Sequence, residues 1–478
     1  MAINRTPAAA ALRSRLNHPV VDSDGHWVEF GPQLIDYLRE VGGSKAVEGF
    51  KARPTENWHL TLTPAERRAR RLDQPVWWGM PTKNTLDRAT AMLPKLLYQR
   101  LDDMGFDFAV LYPSAGLRVP FIADADLRRI ACRAFNTYSA NLYREFSDRL
   151  TPAAVIPMHT PEEAIDELDH AVGTLGLKVA MMASLIRRPI NSAKPNPRYN
   201  EWLDVLGLDS DYDYDPVWAK CAELGVSPSF HSVSKGVGTR LSPTNAVYNH
   251  IGHFGVASEA VCKALFLGGV TRRFPRLNFV FLEGGSGWAC SLYSDLIGHW
   301  KKRNPAALED IDPANLNREL LAHLFRQYGG SGLVAKLDRA GSDSENLSPR
   351  SADPNASLDD FAPCRIGRAE DVRDLFVPRF FFGCEADDPI NAWAFNSRAN
   401  PFGARLGAVF GSDIGHFDVP DMTEVLTEAY ELVDDGLITE TDFRDFVFTN
   451  PVRLWAGNNP DFFRGTVVQD QAKAVISS

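Results

Sequence analysis

Imidazoles and carboxylates stand at the ends of the apolar runs of this sequence. Asp22, Asp24 and His26 follow PVV. Tyr112 lies at the end of FDFAVLYP, and His159 follows PAAVIPM. His231 ends VSPSFH, Glu283 ends LNFVFLE, Glu385 ends RFFFGCE and Asp413 ends LGAVFGSD. These are the ligand types of zinc, manganese and iron. They lie far apart in the chain, so only a fold that gathers strand ends makes one site of them.

Each residue also has a plainer reading. In VVDSDGHW, Asp24 and His26 are two apart, so on an extended strand both point the same way. The same letters also describe an Asp-Gly turn with a surface histidine. His231 is either a ligand or a hydrogen-bonded histidine closing a buried strand. Asp413, in FGSDIGHFD, is either a ligand or a helix cap. His416 beside it is a further ligand, a partner of one, or exposed. Glu283, in FLEGGSGW, is the most unusual, because an ionised glutamate ending a buried strand needs a partner. A metal ion or a charged substrate would supply one. His250 and His253, in VYNHIGHFG, are expected to face the same pocket as base, second-metal ligand or substrate contact. His159 and Trp27 are expected to line it. His299 is expected to pair with Asp295 at i, i+4, and His18, His59, His170 and His323 to be surface or packing residues.

The elements that must position these groups are legible as eight short apolar runs without alternation, the mark of strands covered on both faces. They are PVV before Asp22, then 106–113, 152–158, 177–183, 226–231, 277–283, 379–385 and 406–413. Helical patterns separate most of them. Thr160, Pro161 and Glu163 form a capping-box start, with Ile165, Leu168, Val172 and Leu175 following at helical spacing. Asp124 is a cap for the helix after it. Eight strands alternating with helices predict an α/β chain folded as a (β/α)8 barrel, whose C-terminal strand ends build the active site. Residues 27–105, with Trp27, Trp58, Trp77 and Trp78, read as a helical cap inserted after the first strand. Residues 330–370, rich in Gly, Ser, Asp, Asn and Pro, read as a mobile loop or an arm. No internal repeat is present, and the whole chain, 1–478, reads as one barrel domain with these two insertions.

Composition narrows the class. The 478 residues are 44% hydrophobic and 23% charged, ordinary for a globular protein. A net charge of −10 gives no electrostatic support to a nucleic-acid partner. No apolar run approaches the roughly 18 residues that a membrane span needs. The N-terminus has no signal-peptide core, and the six cysteines form no CxxC pair, so a cytoplasmic enzyme with reduced thiols is expected.

Taken together, LDDMGFDFAVLYPSAGL, RAFNTYSANLYREFSDRLTPAAVIPMHTPEEAIDELDHAVGTLGLK, GGVTRRFPRLNFVFLEGGSGW and FGSDIGHFD resemble the amidohydrolase-related family of the amidohydrolase superfamily. That group contains aminocarboxymuconate-semialdehyde decarboxylase and aromatic-acid decarboxylase and hydratase relatives. The resemblance implies a metal-binding (β/α)8 barrel. Asp24 and His26 fall where the family has a His-x-His or carboxylate-x-His pair, His231 matches its metal-binding histidine after the fifth strand, and Asp413 its aspartate after the eighth. Two departures matter. Asp24 replaces the commoner histidine, which makes the ligand set harder and shifts preference from zinc towards manganese or iron. Glu283 stands where decarboxylase members place a catalytic histidine, which argues against decarboxylation as those members perform it. No lysine stands where a carboxylated metal bridge would.

The expected protein is a metal-dependent hydrolase or lyase acting on a small organic acid or amide-like substrate. It would hold one or two divalent ions (Zn, Mn or Fe) at Asp24, His26, His231 and Asp413, with Glu283 and His253 catalytic. A dinuclear iron or iron–manganese oxygenase on the same fold is the alternative, with Glu283 bridging and His253, His416 or His250 near the second ion. A non-catalytic barrel acting as partner subunit is a third. A homo-oligomer is expected, or a hetero-oligomer with a related barrel.

Overall fold

The computed structural model describes residues 8–53, 58–76, 83–191, 200–232, 237–336 and 357–477. Each apolar run becomes a strand because both of its faces find apolar cover. The strands are β1 (Val21–Trp27), β2 (Phe108–Pro113), β3 (Leu150–Ile156) and β4 (Val179–Met182). A short ribbon follows, β5 (Ile186–Pro189) and β6 (Glu201–Asp204). The sheet resumes with β7 (Pro228–Phe230), β8 (Phe279–Phe281), β9 (Phe380–Cys384) and β10 (Gly407–Phe410). Every residue of the eight sheet strands is buried. Their order is β1-β2-β3-β4-β7-β8-β9-β10, and every neighbouring pair is parallel. The two ends of the sheet meet. Asp413 N donates to Asp24 O at 2.9 Å, and His26 N donates to Ile414 O at 2.8 Å. The expected (β/α)8 barrel is the fold, and each predicted run overlaps one of its strands, although β1 lies almost wholly after PVV and β3 starts two residues earlier than expected. The antiparallel β5–β6 pair was not foreseen, because β5 alternates between buried and exposed over only four positions and β6 is buried only at Asp204.

β1 departs from simple alternation. Its register against β2 slips between Asp22 and Gly25, so one extra residue bulges there and re-aims the side chains that follow. Gly25 is required at this point: a Cβ would come within 2.6 Å of Asp22 Oδ2. Gly411 has the same role across the seam, where a Cβ would lie 2.9 Å from Asp24 Cβ.

The helices start where the sequence places their caps. Asp124 accepts from Leu127 N to begin Ala125–Tyr143, and Thr160 accepts from Glu163 N to begin Pro161–Leu168. The reciprocal half of the expected capping box at Thr160 is missing, for a physical reason. Glu163 turns instead to Arg128, which holds it through Nε at 2.9 Å and Nη2 at 2.7 Å in a buried, bidentate ion pair. That pair clamps two successive outer helices together.

The described part of 28–105 contains helices, and the longest, Gly31–Ala52, lies against Ala125–Tyr143 on the barrel wall. Residues 58–74 are fastened to the loop after β7. Arg67 Nε donates to Pro243 O at 2.8 Å, and Gln74 N donates to Ser242 O at 2.7 Å. Trp77 and Trp78 lie outside the described residues, as does 337–356 of the expected loop. The rest of that loop is not solvated throughout. Phe361 and Cys364 are buried, Cys364 Sγ donates to Phe266 O at 3.0 Å, and Arg272 Nε donates to Cys364 O at 2.9 Å. The polar segment therefore ends well before residue 370, because these two side chains anchor it. All six cysteines are free and buried. Among the described residues, no helix is long and apolar enough to cross a membrane.

The Arg128–Glu163 clamp yields a stability prediction. Arg128→Met alone leaves a buried carboxylate without its partner and should cost about 3–5 kcal/mol, whereas Arg128→Met with Glu163→Leu should recover most of that loss. Urea unfolding of the three proteins checks it. Equal loss in the single and double variants would contradict the account.

Candidate metal centre

The sheet delivers its donors to one end of the barrel. Asp24 and His26 come from β1 itself, His231 is the residue after β7, Glu283 follows β8 and Asp413 follows β10. His26 Nε2 is the hub. It lies 3.2 Å from His231 Nε2, 3.6 Å from Asp24 Oδ1 and 3.4 Å from Asp413 Oδ1. His231 Nε2 is in turn 3.6 Å from Asp24 Oδ1 and 3.4 Å from Glu283 Oε2. Ligands held about 2.0–2.2 Å from a single ion stand roughly 3.0–3.6 Å apart, so these spacings are those of a coordination shell. Asp24, His26, His231 and Asp413 are all nearly inaccessible to solvent. Asp24 Oδ1 and Asp413 Oδ2 accept no hydrogen bond. Buried oxygens of this kind are costly without a partner, and a cation is the partner that suits carboxylates and neutral imidazoles alike.

Proton affinities agree. Burial, with His416 and His231 alongside, holds the His26 imidazole well below its ordinary range, which keeps it neutral and its lone pair available. Burial pushes the Asp413 carboxyl well up, helped by Glu283 and by Asp418, which reaches it. Glu385 is pushed up to about 7 by burial and then by Asp418, Asp387 and Asp388. A bound cation inverts this local logic and favours the ionised forms.

Several features hold the donors in place. Asp22 is wholly buried behind Asp24 and accepts from Asp24 N at 3.1 Å, Ser412 N at 3.0 Å and Ser412 Oγ at 2.6 Å. It thereby ties β1 to the exit of β10, and burial pushes it up to about 7. Glu283 and Asp413 both adopt left-handed backbone, with φ of 54° and 49°. This conformation is uncommon for residues other than glycine, and Arg71, Leu206, Asp209, Arg365 and Phe402 share it elsewhere in the chain. His416 stacks on His26 with ring centroids 3.8 Å apart. Its Nδ1 lies 2.6 Å from Asp413 Oδ1, and its Nε2 lies 3.3 Å from Ser114 Oγ.

A cavity of about 240 Å³ opens beside Glu283, lined by His250, His253, Phe254, Glu385 and Asp388. His253 is buried, and its ring lies 4.4 Å from that of His250. Two expected pocket residues are elsewhere. Trp27 points to the opposite side of β1 from His26 and packs edge-on against Tyr138 and Tyr143 in the helical layer. His159 belongs neither to the donor cluster nor to this cavity wall. It sits beside Arg128 and Arg188, and burial together with these cations pushes it down to about 4. His299 bonds the Asp295 carbonyl at 2.7 Å rather than pairing with the carboxylate. Sequence reasoning named Glu385 only among the strand-end donors and gave no role to Asp388 or Asp418. The signal was there, in the acid runs after RFFFGC and FGSDIGHF.

The family model described as amidohydrolase matches residues 21–325. No curated protein matches the chain. Among solved structures, an amidohydrolase from Mycobacterium avium subsp. paratuberculosis K-10 is similar at 16% identity and a TM-score of 0.50, over 92% of this chain and 100% of that one. A dihydroxybenzoic acid decarboxylase from Polaromonas sp. JS666, determined with manganese and 2-nitroresorcinol, aligns at 16% identity and a TM-score of 0.47, over 94% and 99%. The 4-oxalomesaconate hydratase of Rhodopseudomonas palustris aligns at 15% and 0.45, over 96% and 100%.

If these donors hold an ion, adding Mn²⁺ should stabilise the fold, by about 2.7 kcal/mol at a hundredfold excess over Kd. His231→Ala and Asp413→Ala should keep native circular dichroism and lose most of that shift. A shift of unchanged size in both variants would remove these residues from the ligand set.

Proposed function

We propose, on the premise that the chain belongs to the amidohydrolase family, that it is a metal-dependent enzyme of hydrolase or lyase type acting on a small organic acid or amide-like substrate. The observation that carries the reading is the convergence of buried Asp24, His26, His231 and Asp413 donors at coordination distances. These four would hold a divalent ion at the mouth where barrel enzymes place their chemistry. The two carboxylates favour manganese or iron over zinc. When bound, the ion supplies Lewis-acid polarisation of a carbonyl or carboxylate oxygen.

The chain's own groups do the rest. Glu283 and His253 both face the 240 Å³ cavity. They are the groups able to take a proton from substrate or water and to return it. The left-handed backbone at Glu283 and the glycines after it aim its carboxylate between His231 and the cavity. Residues 58–74, fastened to the 242–249 loop that leads to His250 and His253, would help close that pocket. The oxygenase reading of the sequence has no observation of its own in its favour.

A panel of small carboxylic acids, amides and lactones, screened with Mn²⁺-loaded protein, tests the proposal. Turnover should vanish on chelation and return with Mn²⁺. Glu283→Gln should lower kcat by about 10²–10⁴-fold. Equal turnover by the metal-free protein would overturn the proposal.

A further inference from the structure

A cavity of about 460 Å³ opens at the end of the barrel opposite the donor cluster. Asn278, Arg379 and Leu406 line it, and each stands immediately before a strand, β8, β9 and β10 respectively. Arg453 joins them from the helix Asn450–Ala456. The same three strands carry Glu283, Glu385 and Asp413 beyond their other ends, so a strand's length, roughly 20 Å, separates this cavity from the candidate metal centre. Its charge is unlike that of the chain. The protein carries −10 overall, yet Arg379, Arg405 and Arg453 line the cavity against one carboxylate, Asp445. Asp445 is committed to Arg405 at 2.9 Å. Arg379 and Arg453 make no ion pair among the described residues. Arg379 is half-buried and donates only to neutral oxygens, Asn278 Oδ1 at 3.2 Å and Arg276 O at 3.4 Å. Burial pushes its guanidinium below the ordinary range. A cation partly withdrawn from water among neutral acceptors lacks a counter-charge.

The cavity is braced from within. Asn278 is 2% exposed, and while its Oδ1 accepts from Arg379, its Nδ2 donates to Arg453 O at 3.0 Å. The base of β8, the residue before β9 and the Arg453 helix are thus tied at one buried side chain. Phe381, Phe395 and Leu406, all buried, supply an apolar wall. We propose that this basal cavity binds a small organic dianion, its acidic groups taken by Arg379 and Arg453 and its apolar body set against Phe381 and Phe395. Guanidinium forks hold carboxylate and phosphate oxygens in pairs, and the volume is that of a small-molecule pocket. The inference is independent of the metal-dependent reading. An occupant here cannot reach the mouth where barrel enzymes place their chemistry, so it acts as an effector or stabiliser and not as the substrate.

Isothermal titration calorimetry of the full-length protein at low ionic strength tests this, with phthalate and phenyl phosphate as probes and benzamide as the uncharged control. Small acids are also expected at the mouth, so each titration is run on Mn²⁺-loaded protein, on chelator-stripped protein and on His231→Ala. At least one anion should bind all three preparations alike, and benzamide none. Arg453→Gln, at an exposed position and so tolerated by the fold, and Arg379→Lys, which keeps the charge but loses the fork, should each weaken that binding by about tenfold or more. Added salt should weaken it too. Tighter binding of phthalate assigns a dicarboxylate and tighter binding of phenyl phosphate a phosphate ester, and either supports the site. Binding that is lost on chelation or in His231→Ala, yet unchanged in both arginine variants, would place the anions at the mouth and overturn the basal site. Equal binding by every variant, or no binding of either anion at millimolar concentration, would also overturn it.

Discussion

Negative charge and neutral imidazole nitrogen are buried together where water cannot solvate them, and everything else at the barrel mouth is arranged around that cost. Asp24, Asp413 and Glu283 crowd two histidine Nε2 atoms that are themselves only 3.2 Å apart. With one Nε2 protonated the two rings hydrogen-bond at that distance, and with both lone pairs facing they repel unless a cation lies between them. Carboxylates buried beside them are driven towards protonation. A divalent cation removes both penalties at once, because every one of these atoms then points at positive charge.

The fold supplies the rigidity that keeps this arrangement from relaxing. Parallel strands buried on both faces fix where each strand ends, and the donors occupy those ends or the next few residues. The seam between β1 and β10 is the critical joint. The bulge after Asp22, the glycines at 25 and 411, and the hydrogen bonds from Ser412 to Asp22 hold Asp24 and Asp413 across it. Glu283 and Asp413 both take left-handed backbone just after their strands end.

Much of this was legible in the sequence because burial leaves a simple trace. Unbroken apolar runs such as FDFAVLYP and LNFVFLE mark strands covered on both faces, and acids or histidines closing such runs stand out against them. Asp24, His26, His231, Glu283 and Asp413 were found this way. Residues whose position depends on tertiary detail were not legible. Trp27 is expected in the pocket as one of the tryptophans of the 27–105 segment, yet it ends β1 and strand alternation sends it to the face opposite His26. Glu163 was read as half of a capping box, but a buried Arg128 competes for it more strongly. Asp22 was seen without a role, since its role is to join two strands nearly four hundred residues apart in the chain. Asp418 sits in an exposed loop where acids are common, and only its approach to Asp413 distinguishes it.

The central claim is that these donors surround a divalent cation. Crystals of the protein grown with Mn²⁺ and measured above and below the manganese absorption edge test it most directly. The account predicts an anomalous difference peak within coordination distance of His26 Nε2, His231 Nε2, Asp24 and Asp413. An ordered barrel mouth with no anomalous density among these four side chains would contradict it.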